Sequence, residues 1–376
     1  MSEQTASVLG EVMPGVQGIA PYEPGRTPEA ITREYGVAAP IKLASNENPL
    51  GASPRAMDAA RRALADLGRY PDGGAAELKA RLAQHLSVDA SMLTLGNGSN
   101  EVLEFVAQAF LGPGRSAVMS EHSFAVYGLA TRAVGATVVA APANPETGPQ
   151  PYGHDLEAMA AAVRADTRVV FIANPNNPTG TFVEGARLES FIRALPAHVV
   201  VVVDEAYCEY VEAPGYPNAL AWLDRFPNLV VARTFSKVYG LAALRVGFAV
   251  SRPEVAEVLN RIRPPFNVNQ PAQAAACAAL DDAEFVAESV RLNHQGLAYV
   301  SAALAERGLS AIPSVANFVC VDVAGPAGPV FEALLRAGVI VRPVGGYGLP
   351  RHLRISIGRP EENHRLIAAL DRVLAL

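Results

Sequence analysis

Arg233-Thr-Phe-Ser236-Lys237 follows an apolar run, Asn228–Val231, that reads as a strand, and Arg245 stands eight residues beyond the lysine. A lysine at a strand end ordinarily faces water, but this one is flanked by hydroxyl residues and followed by an apolar stretch through Leu244. In such surroundings a lysine can lose its proton and condense with an aldehyde. Thr234, Ser236 and Arg245 could then bind an anionic group carried by that aldehyde. Upstream, Asp204 ends a run of valines, with Tyr207 three residues on. A carboxylate at the end of a buried central strand is costly unless a cation pairs with it. Asn174-Pro-Asn-Asn177-Pro178-Thr-Gly180 closes the preceding strand in the same way. The carboxyl ends of parallel strands are where open α/β sheets bind ligands.

A second cluster has the look of a dinucleotide fingerprint. Gly96-Asn-Gly98-Ser99-Asn100-Glu101 follows a predicted strand and opens a helix, and Glu121 lies where a ribose-binding acid is expected. Glu101 replaces the third glycine, however, and its side chain should oppose close packing of helix on strand. A glycine turn into a helix N-terminus still presents free N–H groups and the positive end of the helix dipole. Gly98, Ser99 and Asn100 are therefore read as a phosphate cradle without a dinucleotide. An aldehyde-binding lysine, a carboxylate, polar donors and a phosphate cradle at successive strand ends are what pyridoxal 5'-phosphate requires.

The elements that must hold these groups are legible as an alternation. Strands are expected at Met92–Leu95, Ala117–Ser120, Thr137–Ala141, Arg168–Ala173, His198–Asp204, Asn228–Thr234 and Arg245–Val250. Helices are expected between them at Asn100–Leu111, Ala125–Val134, Asp155–Arg164 and Glu184–Leu195. That order predicts an α/β fold with a large, mainly parallel sheet covered on both faces. After Pro264-Pro265 the texture changes to an Ala-rich helical stretch over about 270–307. Asn317–Val323, a helix near 329–337, Val339–Arg342, Leu353–Ile357 and a terminal helix from Pro360 follow, which reads as a smaller α/β unit. The expected division is an N-terminal arm over 1–35, extended and proline-rich, a large domain over 36–265 and a small one over 266–376.

Composition limits the function. At 376 residues, half of them hydrophobic, the chain is long enough for two cores and is neither disordered nor fibrous. Thirty-one basic against 37 acidic residues give a net charge of −6, without the basic patch that duplex nucleic acid demands. No apolar run approaches a membrane span, and the first residues carry no basic segment of a secretory signal. Cys208, Cys277 and Cys320 form no metal-binding or redox pair and read as core residues of a cytoplasmic protein. The seven histidines show no ligand or triad spacing; His122 and His352 fall near the site in sequence only.

On these residues the chain resembles the fold-type-I pyridoxal-phosphate aminotransferases. The likeness runs from Leu43 to Gly358 and rests on Ser45-Asn-Glu-Asn-Pro, Arg69-Tyr70-Pro71, Asn174 to Gly180, Asp204-Glu-Ala-Tyr207, Ser236-Lys237 with Arg245, and Leu353-Arg354-Ile355. Within them it is most similar to the histidinol-phosphate aminotransferases, through Pro21-Tyr22 with Pro24-Gly25, Gly96-Asn-Gly98-Ser-Asn, and Glu121-His-Ser-Phe124-Ala-Val-Tyr127. The resemblance implies that Lys237 bonds the cofactor and shuttles the proton, and that Asp204 pairs with the ring nitrogen. It also implies that Asn177 and Tyr207 hold the ring's phenolic oxygen. Phe124, where many relatives carry Tyr, would stack on the ring. Gly98, Ser99, Ser236 and Arg245 would hold the phosphate, with Asn100 and Thr234 beside them and Tyr70 reaching over from a second subunit of a homodimer. Arg354 would take the substrate's acidic group, with Tyr22, Asn46 and Arg342 completing that pocket; Arg351 reads as a surface residue.

The implied reaction exchanges an amino group between L-histidinol phosphate and 2-oxoglutarate, giving imidazole-acetol phosphate and glutamate in histidine biosynthesis. An aromatic amino-acid aminotransferase and a threonine-phosphate decarboxylase share many of these motifs. A transcription regulator with an aminotransferase-like domain would need a basic DNA-binding segment, which the short arm does not supply, and a nicotinamide dehydrogenase would need the complete glycine fingerprint.

Overall fold

The computed structural model describes residues 8–21 and 25–375. Tyr22 therefore lies outside the described residues. The strands of the first two-thirds of the chain are β1 (Ile41–Lys42), β2 (Leu93–Gly96), β3 (Ser116–Ser120), β4 (Thr137–Ala141), β5 (Thr167–Ala173), β6 (Val200–Asp204), β7 (Leu229–Thr234) and β8 (Gly247–Ser251). β2 to β8 build one seven-stranded sheet in the order β2-β8-β7-β6-β5-β3-β4. Its pairs are parallel except those of β8, which runs against both β7 and β2. This is the predicted α/β architecture.

β6 shows why the sheet must be covered twice. Val201 and Val203 belong to the core on one face, while Val200 and Val202 belong to the core on the other. An uninterrupted apolar strand of this kind can only lie between two layers. The consequence for function is that the polar residues ending β5, β6 and β7 emerge side by side at one edge of a rigid platform.

The smaller unit is built on β9 (Ala311–Ile312), β10 (Phe318–Asp322), β11 (Val339–Ile340), β12 (Arg342–Pro343) and β13 (His352–Ser356). Four of these form an antiparallel sheet in the order β12-β13-β10-β9. The expected strand Val339–Arg342 is in fact two strands in two sheets, because β11 leaves the small sheet to pair in parallel with β1.

The expected bounds of the two units and the extended arm differ from what the fold shows. The expected Ala-rich helical stretch is present as two helices, Gln270–Leu280 and Ala283–Glu306, divided where Asp282 caps the second through Phe285 N. The first of them buries Ala272, Ala275, Ala276 and Ala279 in the large core, so that core continues past the expected boundary at 265. Conversely, Ile41 and Leu43 pack with the small unit, although they fall within the expected large domain. Within the 1–35 arm, Pro28–Tyr35 is not extended: Thr27 accepts Ala30 N at 3.2 Å, Pro28 opens the helix, and Gly36 ends it in the left-handed region at φ 68°. Its one fully buried residue, Ile31, packs with Ala44, Leu335 and Ile340. The arm is thereby fastened to the small unit.

Candidate active site

The carboxyl ends of β5, β6 and β7 open into a cleft of about 250 Å3 between the two units. Asp204 is the last residue of β6 and only 5% exposed. Among the described residues no cationic side chain hydrogen-bonds to it, which leaves the expected cationic partner to come from a bound group. Tyr127 donates its phenol hydrogen to Oδ2 at 2.8 Å, and Ala206 N–H reaches Oδ1 at 3.2 Å. Burial raises the carboxyl to about 6, against the lowering effect of these two donors, so it remains mostly ionised at neutral pH.

Lys237 follows β7 and is partly open to the cleft, with Nζ donating to the Ser45 carbonyl at 3.0 Å. Loss of solvation, reinforced by the nearby Arg354 and Arg245, brings its ammonium down to about 7. At neutral pH a large share of the amine is therefore unprotonated and nucleophilic, which an ordinary surface lysine never offers. Its Nζ also lies 5.5 Å from the centre of the Tyr207 ring. Tyr207, pushed up to about 12 chiefly by burial, accepts Asn46 Nδ2 at 3.0 Å and so keeps its own hydrogen free to donate.

Arg354 comes from the other unit, on β13, and is 7% exposed. Nη1 donates to Asn177 Oδ1 at 2.6 Å and Nη2 to the Ala44 carbonyl at 2.7 Å, while its buried Nε has no hydrogen-bond partner. With its oxygen held by Arg354, Asn177 has only amide hydrogens left to offer an acceptor in the cleft. Asn46 is tied to the same unit: Ser356 Oγ accepts Asn46 N at 2.7 Å and donates to Asn46 Oδ1 at 3.0 Å. One small strand thus carries both the arginine and the anchor of the segment over Lys237.

Opposite these groups, Gly98 caps the helix Ser99–Phe110 at φ 83°, and a Cβ there would overlap Arg245 Nη2. Arg245 itself adopts φ 57°; its Nη1 donates to Ser236 Oγ at 3.2 Å and to the Ala242 carbonyl at 2.9 Å. Free helix N–H groups, two hydroxyls and a guanidinium at one end of the cleft make an anion cradle. Glu101 does not push the helix away from its strand. It turns back to accept Asn97 N–H and Asn267 Nδ2, both at 2.6 Å, and seals the turn. Glu121 accepts Ala143 N–H at 2.8 Å, a structural contact rather than a ribose contact.

Of the residues singled out in the sequence, Ser99, Asn100, Phe124, Asn177, Asp204, Tyr207, Thr234, Ser236, Lys237 and Arg245 line this one cleft, together with Asn46, Arg342 and Arg354. Gly98 stands directly behind Arg245. Tyr70 does not join them within the chain: it is 80% exposed and stacks on Phe266 with ring centres 4.7 Å apart. Arg351 pairs with Asp322 at the surface. His122 bonds the Tyr347 carbonyl at 2.6 Å, and both His122 and His352 pack edge-on against Tyr152 outside the cleft lining. Tyr127 and Glu47, present in the quoted motifs but given no role there, and Tyr347, not singled out at all, also line the cleft. Tyr127 could have been found from its place one helical turn after Phe124, whereas Tyr347 sits in a glycine-rich loop with no periodicity to place it.

The fit to pyridoxal phosphate is close: a neutral-leaning amine, a buried carboxylate held by neutral donors, an amide and a phenol presenting hydrogens, and an anion cradle, all facing one space. The sequence profile of the aminotransferase class I and II family matches residues 38–370. The chain belongs to that family. The histidinol-phosphate aminotransferase 2 of Pseudomonas aeruginosa is 58% identical over 369 residues, covering 98% of each chain. That of Methylococcus capsulatus is 55% identical over 368 residues, 98% of this chain and 99% of its own. The crystal structure of the histidinol-phosphate aminotransferase of Sinorhizobium meliloti in complex with pyridoxal-5'-phosphate is 31% identical and superposes with a TM-score of 0.88 over 97% of this chain and 98% of that one. The aspartate aminotransferase fold of the family is the fold seen here: a double mutant of that enzyme from Thermus thermophilus gives a TM-score of 0.81 at 26% identity, covering 96% of this chain and 98% of its own.

Proposed function

We propose that this chain is a histidinol-phosphate aminotransferase, exchanging an amino group between L-histidinol phosphate and 2-oxoglutarate with pyridoxal 5'-phosphate as cofactor, and so serving histidine biosynthesis. The observation that carries the choice of substrate is the 58% identity, over nearly the whole of both chains, to a relative bearing that name. The cleft supports the class of reaction independently. Bound there, pyridoxal phosphate supplies the aldehyde that receives the amino group and an electron-withdrawing ring that accepts charge from the substrate's α-carbon.

The chain's own groups do the rest. Lys237 Nζ, about half neutral near pH 7, takes the proton from the α-carbon. Asp204, mostly ionised and buried, would hold a proton on the cofactor's ring nitrogen. Asn177 and Tyr207 would offer their hydrogens to the ring's phenolic oxygen, Phe124 would pack on the ring face, and Gly98, Ser99, Asn100, Thr234, Ser236 and Arg245 would hold the phosphate. Arg354, whose Nε is unsatisfied, receives the acidic group of either substrate, a phosphate or a carboxylate, since its planar fork suits both. Asn46 and Arg342 flank that position, with Tyr22 assigned beside them on the resemblance alone.

The working form is proposed to be a cytoplasmic homodimer in which Tyr70 of each subunit serves the other's phosphate site. Turnover with histidinol phosphate against phenylalanine, each with 2-oxoglutarate, tests the substrate; equal or better turnover of phenylalanine would overturn it in favour of the aromatic enzyme.

A further inference from the structure

Tyr127 is wholly buried, yet its ring spends its one polar atom on Asp204 Oδ2, 2.8 Å away. Its place is fixed from three sides. The ring lies flat against Phe171 of β5, with centres 4.9 Å apart and planes 3° from parallel. Phe124, one turn earlier at the cap of the same helix, meets it edge-on at 5.8 Å. Thr131 Oγ1 donates to the Tyr127 carbonyl at 2.7 Å, one turn later. Among the described residues no other side chain donates a hydrogen bond to Asp204; the second donor is the Ala206 backbone N–H.

We infer that Tyr127 is a positioning residue that keeps the proton shared by Asp204 and the cofactor's ring nitrogen on the nitrogen. The inference rests on the reading of the cleft as a pyridoxal-phosphate site. A hydrogen bond donated to a carboxylate stabilises its charged form and makes it a weaker base. With Tyr127 in place, Asp204 does not compete for the proton, and the ring stays a strong electron acceptor. Without the hydroxyl, buried Asp204 becomes the better base and draws the proton to itself. The same hydrogen bond orients the carboxylate, since Oδ2 faces Tyr127 and Oδ1 faces Ala206, leaving the outward lone pairs for the ring. Burial raises the carboxyl, and the Tyr127 hydrogen bond is the foremost influence that opposes it.

The test uses the holoenzyme reconstituted with cofactor labelled at the ring nitrogen with 15N. Tyr127→Phe retains the stack on Phe171 and removes only the hydroxyl. The nitrogen resonance of the wild type should report a protonated ring; that of Tyr127→Phe should move toward the unprotonated value. Its kcat should fall by about tenfold with KM changed less than about twofold, the pattern of a lost charge-assisted hydrogen bond. Phe171→Leu loosens the packing and keeps the hydroxyl, so its nitrogen resonance should stay with the wild type. An unmoved resonance in Tyr127→Phe, or an equal shift in Phe171→Leu, would show that Tyr127 only fills space and would overturn the inference. A wild-type protein that takes up no cofactor would overturn the functional reading itself, and this inference with it.

Discussion

Lys237 carries a cost that is measurable without any substrate. Its ammonium is depressed from 10.5 to about 7, mostly by loss of solvation. Between those values the unfolded chain holds a proton that the folded chain has released, so stability rises with pH across that window. The penalty is fully present below about 7 and relieved as pH climbs toward 10.5. Lys237→Met in the cofactor-free protein should therefore be more stable than wild type at pH 7, by roughly 2–4 kcal/mol after discounting for partial exposure. Thermal melts should show the gain shrinking toward pH 10; a constant or growing gain would contradict the assignment. Lys237→Met should also abolish turnover. That lysine was legible because strand end, hydroxyl neighbours and Arg245 are local in sequence. Tyr127 was less so: it meets Asp204 across 77 positions, and only the folded sheet brings that phenol to the carboxylate.

The phosphate end depends on two elements meeting closely. Gly98 at the start of the helix Ser99–Phe110 leaves just enough room for the Arg245 guanidinium. Gly98→Ala should act twice, through its φ of 83°, which disfavours any Cβ, and through displacement of Arg245. Cofactor affinity should fall at least about tenfold, since one charge-assisted contact to the phosphate is lost. Equilibrium titration with pyridoxal phosphate measures it; an unchanged Kd would mean that Arg245 is not part of the cradle. At this scale the sequence was read well where periodicity is local: each strand of the large sheet falls within two residues of its expected ends. It was read poorly where pairing is distant. β1 and β11 are two-residue strands whose apolar pattern means nothing until they meet across about 300 residues. The division at Pro264-Pro265 marked a change of composition, but burial of alanines from Gln270–Leu280 in the large core depends on a surface that the sequence does not display.

Nothing within one chain explains Tyr70. A tyrosine 80% exposed and stacked on Phe266 at 44%, with Leu67 three residues before it in sequence at 64%, places apolar area on the outside of the molecule. Phe266 also adopts φ 58°, a conformation that a bulky side chain takes only where its surroundings hold it. Such a patch is the usual mark of a surface that another subunit covers, and the proposed dimer gives Tyr70 its task at the partner's phosphate. In a symmetric pair the contribution is reciprocal: each site takes Lys237 from its own chain and Tyr70 from the other. Two defective proteins, Lys237→Ala and Tyr70→Ala, should then complement. In the mixed dimer the site built on the chain with intact Lys237 receives an intact tyrosine, and the second site lacks both. Random mixing makes half the dimers mixed, each with one working site, so equal amounts unfolded and refolded together should recover about a quarter of wild-type activity. Activity no higher than the sum of the two separate proteins would place Tyr70 in its own subunit's business and remove the reason for a shared site.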